Sequence, residues 1–182
     1  MKAKFYIYLI IILFTGFKIT AQCNDGNEAF QKARNLFEKK LYVSAKDQLD
    51  IALNQANDDI FYDEDCIIQI EYYLLRCSIH LEPQKALTQI DRWTNKYKKN
   101  PLVDTLVSEI SKDIAFSGQP KFVIEILKNK TNLSETQSFY LAYSYLQLGE
   151  YSKSAQLLLP LSKLPDSNIS KPALYYLGYS YL

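Results

Sequence analysis

Residues 139–158, FYLAYSYLQLGEYSKSAQLL, decide the fold. Phe139, Leu141, Ala142 and Tyr145 recur at the three- and four-residue steps that place side chains on one face of a helix. Leu148-Gly149-Glu150-Tyr151 then turns the chain, with Gly149 supplying a residue that accepts the left-handed conformation common at helix ends. Ser154, Leu157, Leu158 and Leu161 resume the same period, so the stretch reads as two helices joined by a tight turn.

The pattern continues in both directions. A small or apolar residue sits inside a helical stripe at Ala33, Leu74, Ser111, Ala142 and Gly178, in steps of 41, 37, 31 and 36. A second recurs in the partner helix at Ala45, Ala86, Val123 and Ser154, followed four residues later by Leu49, Ile90, Leu127 and Leu158. Two positions held in phase four times define a repeat of about 36 residues, the range of stacked helical units. The spacing predicts helices over about 27–40, 42–56, 62–81, 83–99, 102–117, 120–129, 134–148, 151–163 and from 172 onward, and no strand. The acidic group Asp58, Asp59, Asp63, Glu64 and Asp65 precedes one helix and Lys96, Lys98 and Lys99 close another, both favourable to the helix dipole.

Leu174-Tyr175-Tyr176-Leu177-Gly178-Tyr179-Ser180-Tyr181 carries the spacing Leu-x-x-Leu-Gly-x-x-Tyr, which resembles the tetratricopeptide signature with Leu for its usual Trp. The resemblance covers residues 27–182 and implies an all-α fold, a tetratricopeptide-like α-solenoid of antiparallel helix pairs in a right-handed superhelix. Four units are divergent and a fifth is incomplete. Lys96-Tyr97-Lys98-Lys99-Asn100-Pro101 is similar to the Lys-Tyr-x-x-x-Pro unit ends of long exported tetratricopeptide proteins of Gram-negative envelopes. Three departures stand out: Ser111 and Val123 in the third unit, Leu81-Glu82-Pro83 where Gly and Tyr are expected, and Pro160 inside a predicted helix. Proline there removes a donor and clashes with the preceding turn, so a kink is expected, at about 3 kcal/mol if uncompensated. The chain stops at Leu182 within the first helix of the fifth unit, leaving Leu174, Leu177 and Tyr181 without a partner helix. Because repeat arrays need polar end caps, a continuation of the chain or a covering partner is expected.

Ahead of the repeats, Phe5 to Phe17 is an apolar run of 13 residues, preceded by Lys2 and Lys4 and followed by the more polar Lys18-Ile19-Thr20-Ala21-Gln22. This three-part pattern predicts a secretory signal over residues 1–21, cleaved after Ala21, with 22–26 as a short linker. The run falls short of the ~20 residues that span a bilayer, and an uncleaved anchor is the lesser reading. Acylation at Cys23 is weaker still, since Gln22 stands where lipoprotein processing wants a small residue. Cys66 and Cys77 lie 11 residues apart on one predicted helix, about 16 Å and beyond disulfide reach. Cys77 falls on the apolar stripe and reads as a small buried hydrophobe. Export permits disulfides, but three scattered cysteines read as no framework.

Composition narrows the function. With 21 basic and 20 acidic residues the charge is +1, and without Lys2, Lys4 and Lys18 of the signal 18 basic residues face 20 acidic ones. Nucleic-acid binding, which needs a clustered basic face, is not expected. The one histidine, His80, sits near a helix end where a cation is comfortable. No second histidine or spaced cysteine makes a zinc site, the five glycines form no phosphate loop, and nothing places two carboxylates around a cleft. Asp63, Glu64 and Asp65 lack the loop glycine and closing glutamate of a calcium loop. No catalytic, cofactor-binding or metal-binding residue is assigned, and the chain is read as not an enzyme.

A binding surface is better supported. In stacked helix pairs the first helices line the concave face. Helical phase places Phe30, Arg34 and Phe37 there, then Tyr72 and Leu75, then Phe139, Tyr140 and Tyr143, then Tyr175, Tyr176 and Tyr179. The candidate partner-binding residues are Arg34, Phe37, Tyr72, Leu75, Tyr140, Tyr143, Tyr176 and Tyr179. Tyrosine combines contact area, a polar tip and few rotamers, which suits recognition; the bland alternative is rings packed between helices. The expected function is an exported scaffold, periplasmic or associated with the outer membrane, that binds a protein or peptide in a tyrosine-rich groove. No cofactor or nucleic acid is expected, and membrane contact only through an uncleaved anchor or an envelope complex. The alternative is a structural solenoid segment without a dedicated ligand, and a carrier of cell-wall glycan is more remote.

Overall fold

A computed structural model of the chain describes residues 27–58, 63–165 and 167–182. The expected signal, its cleavage site and the 22–26 linker lie outside the described residues. Within them the regular structure is entirely helical: α1 (Glu28–Glu38), α2 (Tyr42–Asp58), α3 (Glu64–Leu81), α4 (Pro83–Lys96), α5 (Leu102–Phe116), α6 (Pro120–Leu127), α7 (Glu135–Gln147), α8 (Tyr151–Ser162) and α9 (Ser170–Tyr179). Every described boundary falls within three residues of its sequence expectation. No helix among the described residues is long and apolar enough to cross a membrane.

Local chemistry sets the helix ends. Asn27 caps α1, its Oδ1 accepting from Phe30 N at 2.9 Å while its Nδ2 donates to Ala52 O of α2 at 3.1 Å. Asp63 caps α3, with Glu64 and Asp65 in the first turn facing the positive end of the dipole. Ser134 and Gln137 form a capping box on α7, and the buried Gln137 also donates to Asp104 O on α5 at 3.1 Å. The turns after α1, α5 and α7 each place a left-handed residue just past the helix: Lys40 (φ 61°), Gly118 (φ 77°) and Gly149 (φ 76°). After α7, Glu150 N donates to Tyr145 O at 2.9 Å and Gly149 N to Leu146 O at 3.0 Å, the paired bonds of a Schellman motif. Leu41 N to Leu36 O and Lys40 N to Phe37 O repeat that pair after α1, at 3.0 and 2.8 Å, with lysine in the strained position.

Lys40→Gly is therefore expected to stabilise the fold by about 0.5–1 kcal/mol, relief of left-handed strain outweighing the added chain entropy. A urea midpoint that rises with unchanged slope checks this; an unchanged or lower midpoint contradicts it.

Side chains pack into three connected clusters. The first joins Phe30, Ala33 and Phe37 of α1 to Ala45, Leu49, Ala52 and Ala56 of α2 and to Cys66, Ile70 and Cys77 of α3. The second takes the other side of α3, through Ile68, Tyr72, Leu75 and Ile79, and runs across α4, α5 and α6 to Leu141 of α7. The third takes the other side of α7, through Phe139 and Ala142, to α8 and α9. Helices α3 and α7 are thus apolar on two sides and join one cluster to the next. Among the described residues, substantial helix–helix contact is confined to neighbours in the chain and to pairs two apart, such as α1 with α3, α3 with α5, α5 with α7 and α7 with α9.

The repeat positions divide in their behaviour. Ala45, Leu49, Ala86, Ile90, Val123, Leu127, Ser154 and Leu158 of the even helices are all at most 2% exposed. On the odd helices Ala33, Ser111 and Ala142 are fully buried, and Ser111 satisfies its hydroxyl on Val107 O at 2.8 Å, which makes a serine tolerable there. Leu74 is only partly buried and a Cβ on Gly178 would meet nothing within 4 Å. Those two members of the series do not mark close approach. Pro160 lies in the last turn of α8, which runs on to Ser162, so the proline ends the helix soon after and does not break it midway.

Candidate functional site

Odd-numbered helices present one face rich in rings and carrying one buried ion pair. In α1 the spacing of Phe30, Arg34 and Phe37 puts three side chains on one stripe, and in α3 Tyr73, Arg76 and His80 do the same. Phe30 and Phe37 meet Tyr73 edge-on at 5.6 and 5.5 Å between ring centroids. Tyr72 meets Tyr73 at 5.3 Å, and Tyr42 at the start of α2 stacks flat on His80 at 4.0 Å. The Arg76 guanidinium lies 4.3 Å from the Phe37 centroid and 5.3 Å from those of both Tyr72 and Tyr73, where ring quadrupoles favour a cation. Arg34 stands over the same group, 5.9 Å from Phe30 and 5.8 Å from Tyr73.

Arg76 Nε reaches across to α5 and pairs with Asp113 Oδ2 at 2.6 Å, both side chains mostly buried. Burial raises the Asp113 carboxyl above its ordinary value, and Arg76 offsets part of that rise. Beyond Asp113 the rings resume. Phe116 contacts Tyr140 and Tyr143 of α7 at 6.0 and 5.5 Å, and Tyr143 meets Tyr176 of α9 at 4.9 Å. Tyr176 continues to Tyr175, and Tyr175 to Tyr179, at 5.2 and 5.1 Å, the last pair also sharing a hydrogen bond of 3.1 Å between hydroxyls.

The predicted site residues divide into two sets. Phe37, Tyr72 and Leu75 are buried, at 6%, 5% and 6% exposure, and belong to the packed interior. Leu75 leaves the face altogether: it lines a cleft with Lys46, Leu53 and Trp93, toward α2 and α4. The reason is helical phase. Leu75 and Arg76 are one position, about 100° of turn, apart on α3, and it is Arg76 that stands among the rings. Arg34, Tyr140, Tyr143 and Tyr176 are half-buried on the face, and Phe116, Tyr175 and Tyr179 stand out at 59%, 59% and 49% exposure. Sequence reasoning missed Tyr73, Arg76, Asp113 and Phe116. One signal was present: Arg76 and Asp113 are 37 residues apart, the step separating Leu74 from Ser111.

The two described cysteines differ in state. Cys77 is a buried free thiol, as its place on the apolar stripe predicted, and burial pushes it up to about 11, while Cys66 is disulfide-bonded.

His80 gives a titration free of overlap, being the only histidine. His80 keeps an exposed edge, but partial desolvation beneath the stacked Tyr42 ring, with help from Arg76 and Lys40 and against the pull of Asp113, lowers its pKa below 6.5. The unfolded chain then binds a proton at higher pH than the folded one. The contribution of His80 is full above 6.5 and is lost as pH falls through the folded value. An NMR titration is expected to place the imidazole midpoint below 6.5, and His80→Phe is expected to flatten the loss of stability between pH 7 and 5. A midpoint at or above 6.5 contradicts this desolvation.

No family model matches the chain, and no curated protein or solved structure matches it. The class its described residues define is all-helical, with a ring-lined face on alternate helices.

Proposed function

We propose that the chain is an exported scaffold of the tetratricopeptide type that binds a protein or peptide through the half of its aromatic face carried by α5, α7 and α9. The observation that carries this reading is the run of touching rings from Phe116 through Tyr143 and Tyr176 to Tyr179, several of them open to solvent. Scattered exposed rings need no explanation, whereas rings joined on one face make a recognition surface of low rotamer entropy. Support for the solenoid comes from the phased even-helix residues, the recurring left-handed turns and the alternate-helix contacts. The polar groups of the face are phenols and a paired arginine and aspartate, better suited to recognition than to proton transfer, so no enzymatic role is assigned. Export rests on the signal-like residues 1–21, and a periplasmic or outer-membrane-associated location follows from it.

The structural-spacer alternative draws on a specific observation, since the α1–α3 half spends Phe30, Phe37 and Tyr72 on packing. Photo-crosslinking separates the two. A benzophenone amino acid at Tyr143 or Tyr179, and at Tyr151 on α8 as the control, is activated in cells carrying the full chain. A discrete adduct from 143 and 179 but not 151, lost on Tyr176→Ala with the unfolding midpoint unchanged, supports binding. Equal adducts from all three positions, or none from the odd face, leave the spacer reading.

A further inference from the structure

Glu109, Asp113 and Phe116 follow one another on α5 at steps of four and three, so they share one stripe. Asp113 on that stripe reaches Arg76 of α3, and Phe116 reaches Tyr140 and Tyr143 of α7. Glu109 is exposed and holds no ion pair among the described residues. Burial first, and then the carboxylates of Glu109 and Asp113, raise the Tyr140 phenol above its ordinary value, which sets that negative charge beside the ring. Helices α5, α7 and α9 together carry Asp104, Glu109, Asp113 and Glu135 against only Lys112 and Lys171.

The other half of the face shows what such a neighbourhood accepts. There Phe37, Tyr72 and Tyr73 surround the Arg76 guanidinium, and a carboxylate pairs with it. In the α5–α7–α9 half, Phe116, Tyr140, Tyr143 and Tyr176 meet at interplanar angles of 46°, 60° and 78°. None of these pairs stacks flat, so the rings do not cover one another's faces, the negative side of the quadrupole. Among the described residues no lysine or arginine cation lies over any of the four. We infer that this half of the face recognises a basic peptide segment, an arginine of which lies on the rings around Tyr140 and Tyr143 beside the Glu109 carboxylate. The inference rests on the reading of α5, α7 and α9 as a peptide-binding face and names the chemistry of what is bound. An acidic segment would be repelled by Glu109, and an apolar one would strip water from that carboxylate without replacing it.

Three capped probe peptides test this on the full chain: Gly-Arg-Gly-Arg-Gly, and the same sequence with Glu or with Leu in place of Arg. They are titrated at 0.15 M salt, which screens diffuse attraction beyond about 8 Å, while tyrosine-ring resonances and binding heat are followed. The arginine peptide is expected to bind about fivefold tighter than the leucine peptide and to shift the Tyr143 ring signals, with the glutamate peptide weakest. Glu109→Gln and Tyr143→Leu are each expected to weaken the arginine peptide about fivefold, with unfolding midpoints unchanged. Tyr143→Phe is expected to keep the affinity, because the ring face remains. Glu125→Gln makes the same charge change on α6, where Glu125 lines a cleft with Asp91 and Asn95 of α4, and is expected to have no effect. Should Tyr143→Leu disturb the fold, the exposed Glu109→Gln carries the comparison alone. An affinity unmoved by Glu109→Gln, or weakened equally by Glu125→Gln, overturns the inference. Tightest binding of the leucine or glutamate peptide at Tyr143 also overturns it, while leaving the face a peptide site. Binding of none of the three overturns it as well, and leaves the peptide-binding reading to the crosslinks alone.

Discussion

Replacing Phe30 with alanine is expected to cost about 4 kcal/mol, the middle of the range for a fully buried phenylalanine. Phe30 is completely enclosed, its ring edge meets Tyr73 at 5.6 Å, and its backbone N–H receives the cap from Asn27 at 2.9 Å. Alanine leaves a cavity between α1 and α3 that neither helix can close, because α1 is already held against α2 by Ala33, Ala45 and Leu49. At ~2–4 °C per kcal/mol for a chain of this size, the melting midpoint is expected to fall by about 10 °C. Calorimetry of the variant checks the value. A shift of a degree or two would mean that α1 is not part of the cooperative fold.

Asp113→Ala is the second large expected effect, at about 2 kcal/mol, because it strands a mostly buried guanidinium among three rings. The side chains of Arg76 and Asp113 retain 17% and 27% exposure, so water relieves part of the penalty and the figure sits below the range for a fully buried pair. Removing both charges while keeping volume, as in Arg76→Met with Asp113→Leu, is expected to cost less than about 1 kcal/mol, since neither ion is then left unpaired. Urea denaturation of the two singles and the double completes a mutant cycle. If Asp113→Ala is neutral, the pair is only a surface contact and the face is open to water at its centre.

Helix positions were legible because they depend on local periodicity and caps. The even-helix pairs, from Ala45 and Leu49 to Ser154 and Leu158, were visible because one small and one large residue must stay in register wherever helices meet closely. Gly149 could be read from its chemistry, whereas the left-handed Lys40 could not, since lysine carries no preference for that conformation. The site was only partly legible because a face is defined by helix rotation. One residue of error on α3, about 100° of turn, substituted Leu75 for Arg76 and hid the ion pair to Asp113. How far a ring is buried depends on the neighbouring helix as well as on its own, which is why Tyr72 and Tyr143 looked alike in sequence and differ in exposure.

Contacts confined to helices at most two apart make opening a local event. Free energy is passed from each helix only to its near neighbours, so the fold can be lost a piece at a time from an end. Among the described residues, helix α9 is in substantial contact with α7 and α8, and α5 with α3, α6 and α7. Closing such contacts asks the chain to form only short loops, a topology that folds quickly and refolds without long-range search. The tyrosines of α9 stand on a helix that, among the described residues, is tied mainly to α7 and α8, and whatever settles on them would slow its exchange.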